Sequence, residues 1–238
     1  MAEAPKRTAR SRFRVRISPG MLESMTLAAV EAYCFSRKGR RTALGGNTKR
    51  YTHEETLGYM WGVKRKTQNT TIISVERMSI SVTAQRTPNS VIPNEDAGRL
   101  MNEIVKSSSP HLTFLGDFHS HPYVTYEDVR TNKGYEFSKY DYEYLLADDF
   151  AWRETDNQPL MIGIAVCRTE RVRTSVLEYM RPNIASYAIG EFKFWINASV
   201  GYKEEYSGKR RHTTDSRSRV DLDVDNYLFN HAGNRVSE

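Results

Sequence analysis

The hydrophobic pattern of this chain switches between a period of two and a period of about 3.6 residues, so neither a helical bundle nor a uniform β-barrel accommodates it. "RFRVRI" sets Phe13, Val15 and Ile17 between arginines, the alternation of a half-buried strand. Ser18-Pro19 follows as a helix N-cap with proline at the first helical position, and Leu22, Met25, Ala29 and Tyr33 recur at helical spacing. Residues 56–63 and 69–84 are rich in β-branched and aromatic side chains and predict two or three strands, with a bulge or turn near Glu76 to Met78. Asn94 caps a second helix with Leu100, Met101, Ile104 and Val105 as its apolar stripe, and "SKYDYEYLLADDF" predicts a third. "HLTFLGDF", "PLMIGIAVCR", "RTSVLEYM" and "EFKFWINASV" read as strands. The expected fold class is α/β in the broad sense (α+β), a mixed sheet covered by helices.

A chain of 238 residues, 39% hydrophobic, can bury one sizeable core. We expect one domain over residues 12–205, a disordered basic tail at 1–11, and a polar tail at 206–238 in which only Val220 to Phe229 can dock. Cys34 and Cys167 form no CxxC pair, so any metal must rely on His, Asp or Glu. No apolar run approaches the roughly 20 residues needed to cross a bilayer, and the N-terminus lacks the apolar core of a signal peptide, so a cytoplasmic location without membrane contact is expected. The net charge of +6 gathers in Lys6, Arg7, Arg10, Arg12, Arg14 and Arg16, with further clusters at 36–41 and 208–212. These runs attract nucleic acid only non-specifically, because they lack the interleaved aromatics of an RNA-binding signature.

The apolar run 114–118 ends in His119-Ser120-His121-Pro122. On a strand, His119 and His121 project to one face while Ser120 points away, and Pro122, lacking an N–H, stops the ladder and leaves the pair at a strand end. Two imidazoles on one face either chelate an ion or are partly exposed polar residues. A catalytic zinc site needs in addition a third N or O ligand, a carboxylate that moves protons and an open position. Ser138 and Asp141, one turn apart at the start of the third helix, offer the ligand, although they also read as a capping box. Glu55 stands at the mouth of a strand whose Gly58 and Gly62 allow close backbone approach.

Taken together, "EETLGYMWG", "GDFHSHP" and "SKYD" resemble the JAMM (MPN+, JAB1/Mov34) metalloprotease family. Its signature is a Glu in E-x-x-G, then H-[ST]-H-P, then S-x-x-D. Glu55 to Gly58, His119 to Pro122 and Ser138 to Asp141 match these parts, and the resemblance covers about residues 13 to 180. The family usually places about seven residues between proline and serine, whereas fifteen intervene here: either 123–137 is an inserted loop and Asp141 is the third ligand, or Asp128 or Glu127 takes that place. We favour the loop, with a lid over the site as one role for it.

The resemblance implies a mostly antiparallel sheet of the JAB/MPN, cytidine-deaminase-like architecture. It also implies Zn²⁺ held by His119, His121 and Asp141, Glu55 as general base, Ser138 steadying the oxyanion, and hydrolysis after the C-terminal tail of ubiquitin or a ubiquitin-like protein. Two other readings remain open: a non-catalytic MPN-type scaffold with nucleic-acid-associating basic tails, and a metallopeptidase acting on another amide.

Overall fold

A computed structural model of the chain describes residues 12–35, 53–172, 174–206, 209–214 and 219–224. The expected N-terminal tail and the basic cluster at 36–41 lie outside these residues, as do Gly208 of the cluster at 208–212 and the chain beyond 224. Within them the strands are β1 (Arg12–Ile17), β2 (Leu57–Lys66), β3 (Thr70–Ile80), β4 (Gln85–Arg86), β5 (Val91–Ile92), β6 (Thr113–Pro122), β7 (Leu160–Arg168), β8 (Ser175–Arg181), β9 (Ile184–Ile189), β10 (Phe192–Tyr206), β11 (Lys209–Thr214) and β12 (Val220–Val224). The helices are α1 (Pro19–Cys34), α2 (Glu95–Ser108), α3 (Tyr126–Thr131), α4 (Lys139–Ala147) and α5 (Asp149–Glu154).

One large sheet runs in the order β12-β1-β3-β2-β6-β7-β10-β9-β8, with β11 paired to β10, and β4-β5 form a separate hairpin. Parallel pairing joins β12 to β1, β1 to β3, and β6 to β7, while the other pairs are antiparallel. This is the mixed, mostly antiparallel sheet flanked by helices that the sequence led us to expect. The sheet curls until its ends meet, because Leu222 of β12 donates its N–H to the Pro182 carbonyl in the β8–β9 turn at 2.7 Å.

α1 covers one face of the sheet. Ser18 caps it by accepting the Met21 N–H at 3.3 Å, and Leu22, Met25, Ala29 and Tyr33 point into the main core with Phe13, Val15, Ile17, Met60 and Ile73. Each large side chain buried there contributes about 1.5–3 kcal/mol. The opposite face carries three smaller clusters: α2 and α5 over Tyr59, Trp61 and Phe114; α3 over Ala165, Cys167 and Trp195; α4 over Phe137 and Met161.

A bulge in β6 decides which residues face which side. Met60 of β2 pairs with Gly116, but Trp61 pairs with Phe114, so Leu115 is an extra residue. Leu115 and Phe118, three apart, therefore lie in the same α1-side core, whereas Phe114, Asp117, His119 and His121 share the other face. Gly116 permits this at φ +136°, a left-handed conformation, in a place where a Cβ would lie 1.9 Å from the Leu160 carbonyl oxygen.

Three expectations are corrected. The polar tail at 206–238, expected to dock only through Val220 to Phe229, also supplies β11; β12 falls within the docking stretch, and in "VDLDV" Val220, Leu222 and Val224 are buried while Asp221 and Asp223 occupy the other face. The stripe expected on α2 is rotated, because Leu100 and Ile104 are more than half exposed while Gly98, Asn102 and Val105 are buried. Gly98 lets the Tyr59 ring approach, and Asn102 accepts the Trp61 indole N–H at 3.1 Å, so the helix turns a small and a polar residue to the sheet. The third expected helix is two helices, α4 and α5, divided at Asp148, whose carboxylate caps α5 by accepting the Ala151 N–H. The expected bulge near Glu76 is present: Arg77 pairs with Trp61 and Val75 with Gly62, which skips Glu76.

Candidate metal centre

The Gly116 bulge delivers Asp117, His119 and His121 to the face where α4 begins. His119 stands beside Gly163 and His121 beside Ala165 on β7. Because Gly163 has no side chain, the Phe137 ring fills the space above it: a Cβ at residue 163 would come within 2.7 Å of that ring. The Phe137 ring centroid lies 5.7 Å from that of His119 and 6.5 Å from that of His121. Phe137 is thereby fixed against both imidazoles, and the next residue starts α4.

Ser138 caps α4 through a reciprocal box, its Oγ accepting the Asp141 N–H at 3.2 Å while its own N–H donates to Asp141 Oδ2 at 2.6 Å. The carboxylate so held faces the histidines. Asp141 Oδ1 lies 3.4 Å from His119 Nε2, and Oδ2 lies 3.7 Å from His121 Nε2. One ligand atom from each of these three residues falls within 4.8 Å of the others.

The donor set fits a metal ion. His119 Nε2 is buried without a hydrogen-bond partner although Asp141 is adjacent, which leaves a nitrogen aimed at a common point with nothing suitably aligned to bind. Among the described residues, no other group of three His, Cys, Asp or Glu side chains has this geometry. Asp128, the alternative third ligand, is spent on another cap: it accepts the Thr125 N–H at 3.0 Å at the start of α3. Glu127 points instead to Arg130, 3.5 Å away. The structure thus brings Asp141, not Asp128 or Glu127, to the histidines.

Glu55 reaches the same cleft by a different route. Ser120, between the histidines, faces the opposite side of β6, where it is fully buried and binds Thr56 twice. Its N–H donates to the Thr56 carbonyl and its Oγ accepts the Thr56 N–H, both at 3.0 Å. The Glu55 N–H is tied in turn to the Thr87 carbonyl beside the β4–β5 hairpin. Glu55 is 8% exposed and lines a cleft of about 480 Å³ with His119, His121, Ser138, Asp141 and Tyr123.

Burial governs the charges here. It pushes the Glu55 carboxyl up to about 8, with His119 pulling the other way and Asp141 adding to the rise. Burial also opposes a charge on His119, but Asp117 and Asp141 outweigh it and hold the imidazole at about 10. For His121 burial and the neighbouring His119 win, lowering it to about 4, while a hydrogen bond to the Gly134 backbone works against them. Asp141 is held well below the usual carboxylate range, because the two histidines and Ser138 overcome its burial. A cation-ready carboxylate therefore sits against imidazoles and a proton-holding acid.

Asp117 was missed from sequence. Its Oδ1 lies 3.3 Å from His119 Nδ1, and both residues are nearly buried. The signal was available: Asp117, His119 and His121 recur at every second position of one strand. The segment 123–137 is likewise more than a loop. Val129 of α3 is fully buried with Ala165, Cys167 and Trp195, Tyr123 and Tyr135 pack against that cluster, and Arg181 pairs with Glu136 at 2.6 Å. It buttresses the sheet and leads into Phe137.

Among the described residues, no helix is long and apolar enough to cross a membrane. Residues 14–139 match the family described as JAB1/Mov34/MPN/PAD-1 ubiquitin protease. No curated protein matches the chain.

Proposed function

The chain belongs to the JAB1/Mov34/MPN/PAD-1 ubiquitin protease family, and from that premise we propose that it is a zinc-dependent hydrolase of peptide or isopeptide bonds at the C-terminal tail of ubiquitin or a ubiquitin-like protein. The observation that carries the reading is the convergence of His119, His121 and Asp141 beside a buried Glu55. Two imidazoles and one carboxylate suit Zn²⁺ better than Mg²⁺, which prefers oxygen ligands and several waters. When bound, the ion supplies Lewis acidity, polarising an amide carbonyl and acidifying water.

The protein side chains do the rest. Glu55, whose backbone is clamped from both sides, takes a proton from the attacking water and returns it to the departing amine. Its elevated affinity for protons suits it to both transfers. Ser138 Oγ already accepts from the Asp141 N–H, so its own O–H is the donor left for the developing oxyanion. His119 and His121 contribute lone pairs, and neither Cys34 nor Cys167 enters the reaction. Tyr123, Tyr140 and Tyr144 line the cleft and give an extended tail flat surfaces to lie against.

Zinc content and cleavage of a fluorogenic ubiquitin-like C-terminal conjugate, measured on wild type and Glu55→Gln, test this reading. Stoichiometric zinc in both, with activity only in wild type, is expected. Protein that neither carries zinc nor gains it on addition defeats the proposal. Bound zinc with hydrolysis of unrelated peptides alone moves the substrate to another amide.

A further inference from the structure

We propose that Asp117 is a positioning residue that fixes which nitrogen of His119 is offered to the metal. This inference rests on the metal reading of the site and extends it to a residue outside the three-ligand set.

An imidazole has two nitrogens, and the one free to bind an ion is decided by what the other one donates to. In His119 these two atoms meet different neighbours. Nδ1 lies 3.3 Å from Asp117 Oδ1. Nε2, on the far side of the ring, lies near Asp141 without a hydrogen-bond partner. Asp117 therefore keeps the Nδ1 proton, so the nitrogen that a metal would take, displacing its proton, is Nε2, which faces the point where His121 Nε2 and Asp141 also converge.

The surroundings of Asp117 support this role over a merely structural one. The residue is 6% exposed at the boundary between the cleft and the apolar cluster of Leu57, Tyr59, Trp61 and Phe114 on the same sheet face. It stands opposite Tyr59 in the β2–β6 register. Burying a carboxylate there is costly unless it is paired, yet among the described residues no lysine or arginine forms an ion pair with it. Its polar contact is with His119. An apolar side chain would pack at this position at lower cost, so the carboxylate is explained by what it does to the imidazole. Asp117 does not belong to the group whose ligand atoms converge, which rules it out as a ligand in place of His119.

The two histidines are thus supported differently. His119 is oriented by a charged side chain of its own strand, two residues away. His121 is steadied by the Gly134 backbone, delivered by the 123–137 segment.

The test compares the full-length wild type with Asp117→Asn and Asp117→Ala, each with an intact far-UV spectrum. The probes are Zn²⁺ affinity by chelator competition and the visible d–d spectrum with Co²⁺. Asn keeps an oxygen that can accept the Nδ1–H, whereas Ala keeps nothing. The expected result is a 10–100-fold loss of Zn²⁺ affinity in Asp117→Ala with a changed Co²⁺ spectrum, and a smaller loss with a wild-type-like spectrum in Asp117→Asn. Wild-type affinity and spectrum in Asp117→Ala overturn this proposal alone. A wild type that binds neither ion overturns the metal reading, and this inference with it.

Discussion

Two capping boxes in this molecule share their local chemistry and differ in everything beyond it. Thr125–Asp128 opens α3 and Ser138–Asp141 opens α4, each a hydroxyl and an aspartate exchanging hydrogen bonds with the other's backbone. Asp128 stops there. Asp141 goes on to meet both histidines, because α4 starts immediately after Phe137, which is wedged over Gly163 against the imidazoles. α3 starts where Val129 drops into a hydrophobic cluster under the neighbouring strands. A cap thus specifies where a helix begins and how its carboxylate is held; what lies across from that carboxylate is decided by the packing of the residues before it.

Breaking the comparison at its aspartates gives the largest effect. Asp141→Asn should lose Zn²⁺ affinity well beyond the 10–100-fold typical of losing a supporting hydrogen bond. Asp128→Asn should bind as wild type, and chelator competition on both reads the difference; equal losses would erase the distinction drawn above. At the hydroxyls the two boxes should match in stability and part in catalysis. Thr125→Ala and Ser138→Ala should each lower stability by about 1 kcal/mol in denaturant titrations. Only Ser138→Ala should also lower kcat, by about 10²–10³.

The pH response sharpens the contrast further. His119 is held at about 10 in the metal-free protein by Asp117 and Asp141 against the pull of burial, so near neutrality it carries a proton that metal must displace. Apparent Zn²⁺ affinity should therefore rise with pH, about tenfold per unit between roughly 7 and 9. Asp128→Asn should keep that slope. Calorimetry in buffers of different ionisation enthalpy would count the released proton directly, and a slope of zero contradicts the ion pair.

Much of this was legible in the sequence, for local reasons. "RFRVRI" followed by Ser18-Pro19 encodes β1 and the start of α1 in side chains that touch only their neighbours. His119 and His121 were readable because strand alternation holds both side chains on one face, and Asp141 through the S-x-x-D part of the family resemblance, with its capping box as the competing reading. What escaped depended on partners far away in the chain. The buried face of α2 is chosen by Tyr59 and Trp61, and the segment Val220–Val224, read only as able to dock, finds its partner in β1 some two hundred residues earlier, as the Val15–Leu222 register shows. Asp117 escaped because it was read as the end of an apolar run, and its alternation with the histidines went unused.

The extra residue in β6 gives the site an unusual kind of vulnerability. Composition is not what protects it, since "DFHSH" would keep every ligand if the bulge at Gly116 were straightened. Straightening the strand with every residue kept turns the ribbon over: Phe118 would move into the cleft, and Asp117, His119 and His121 would be driven into the α1-side core, whereas losing Gly116 together with the bulge leaves Phe114, Asp117 and the histidines on one face. The site is inscribed in the parity of the chain as much as in its letters, and it survives only while the extra residue and the bulge that absorbs it stay or go together.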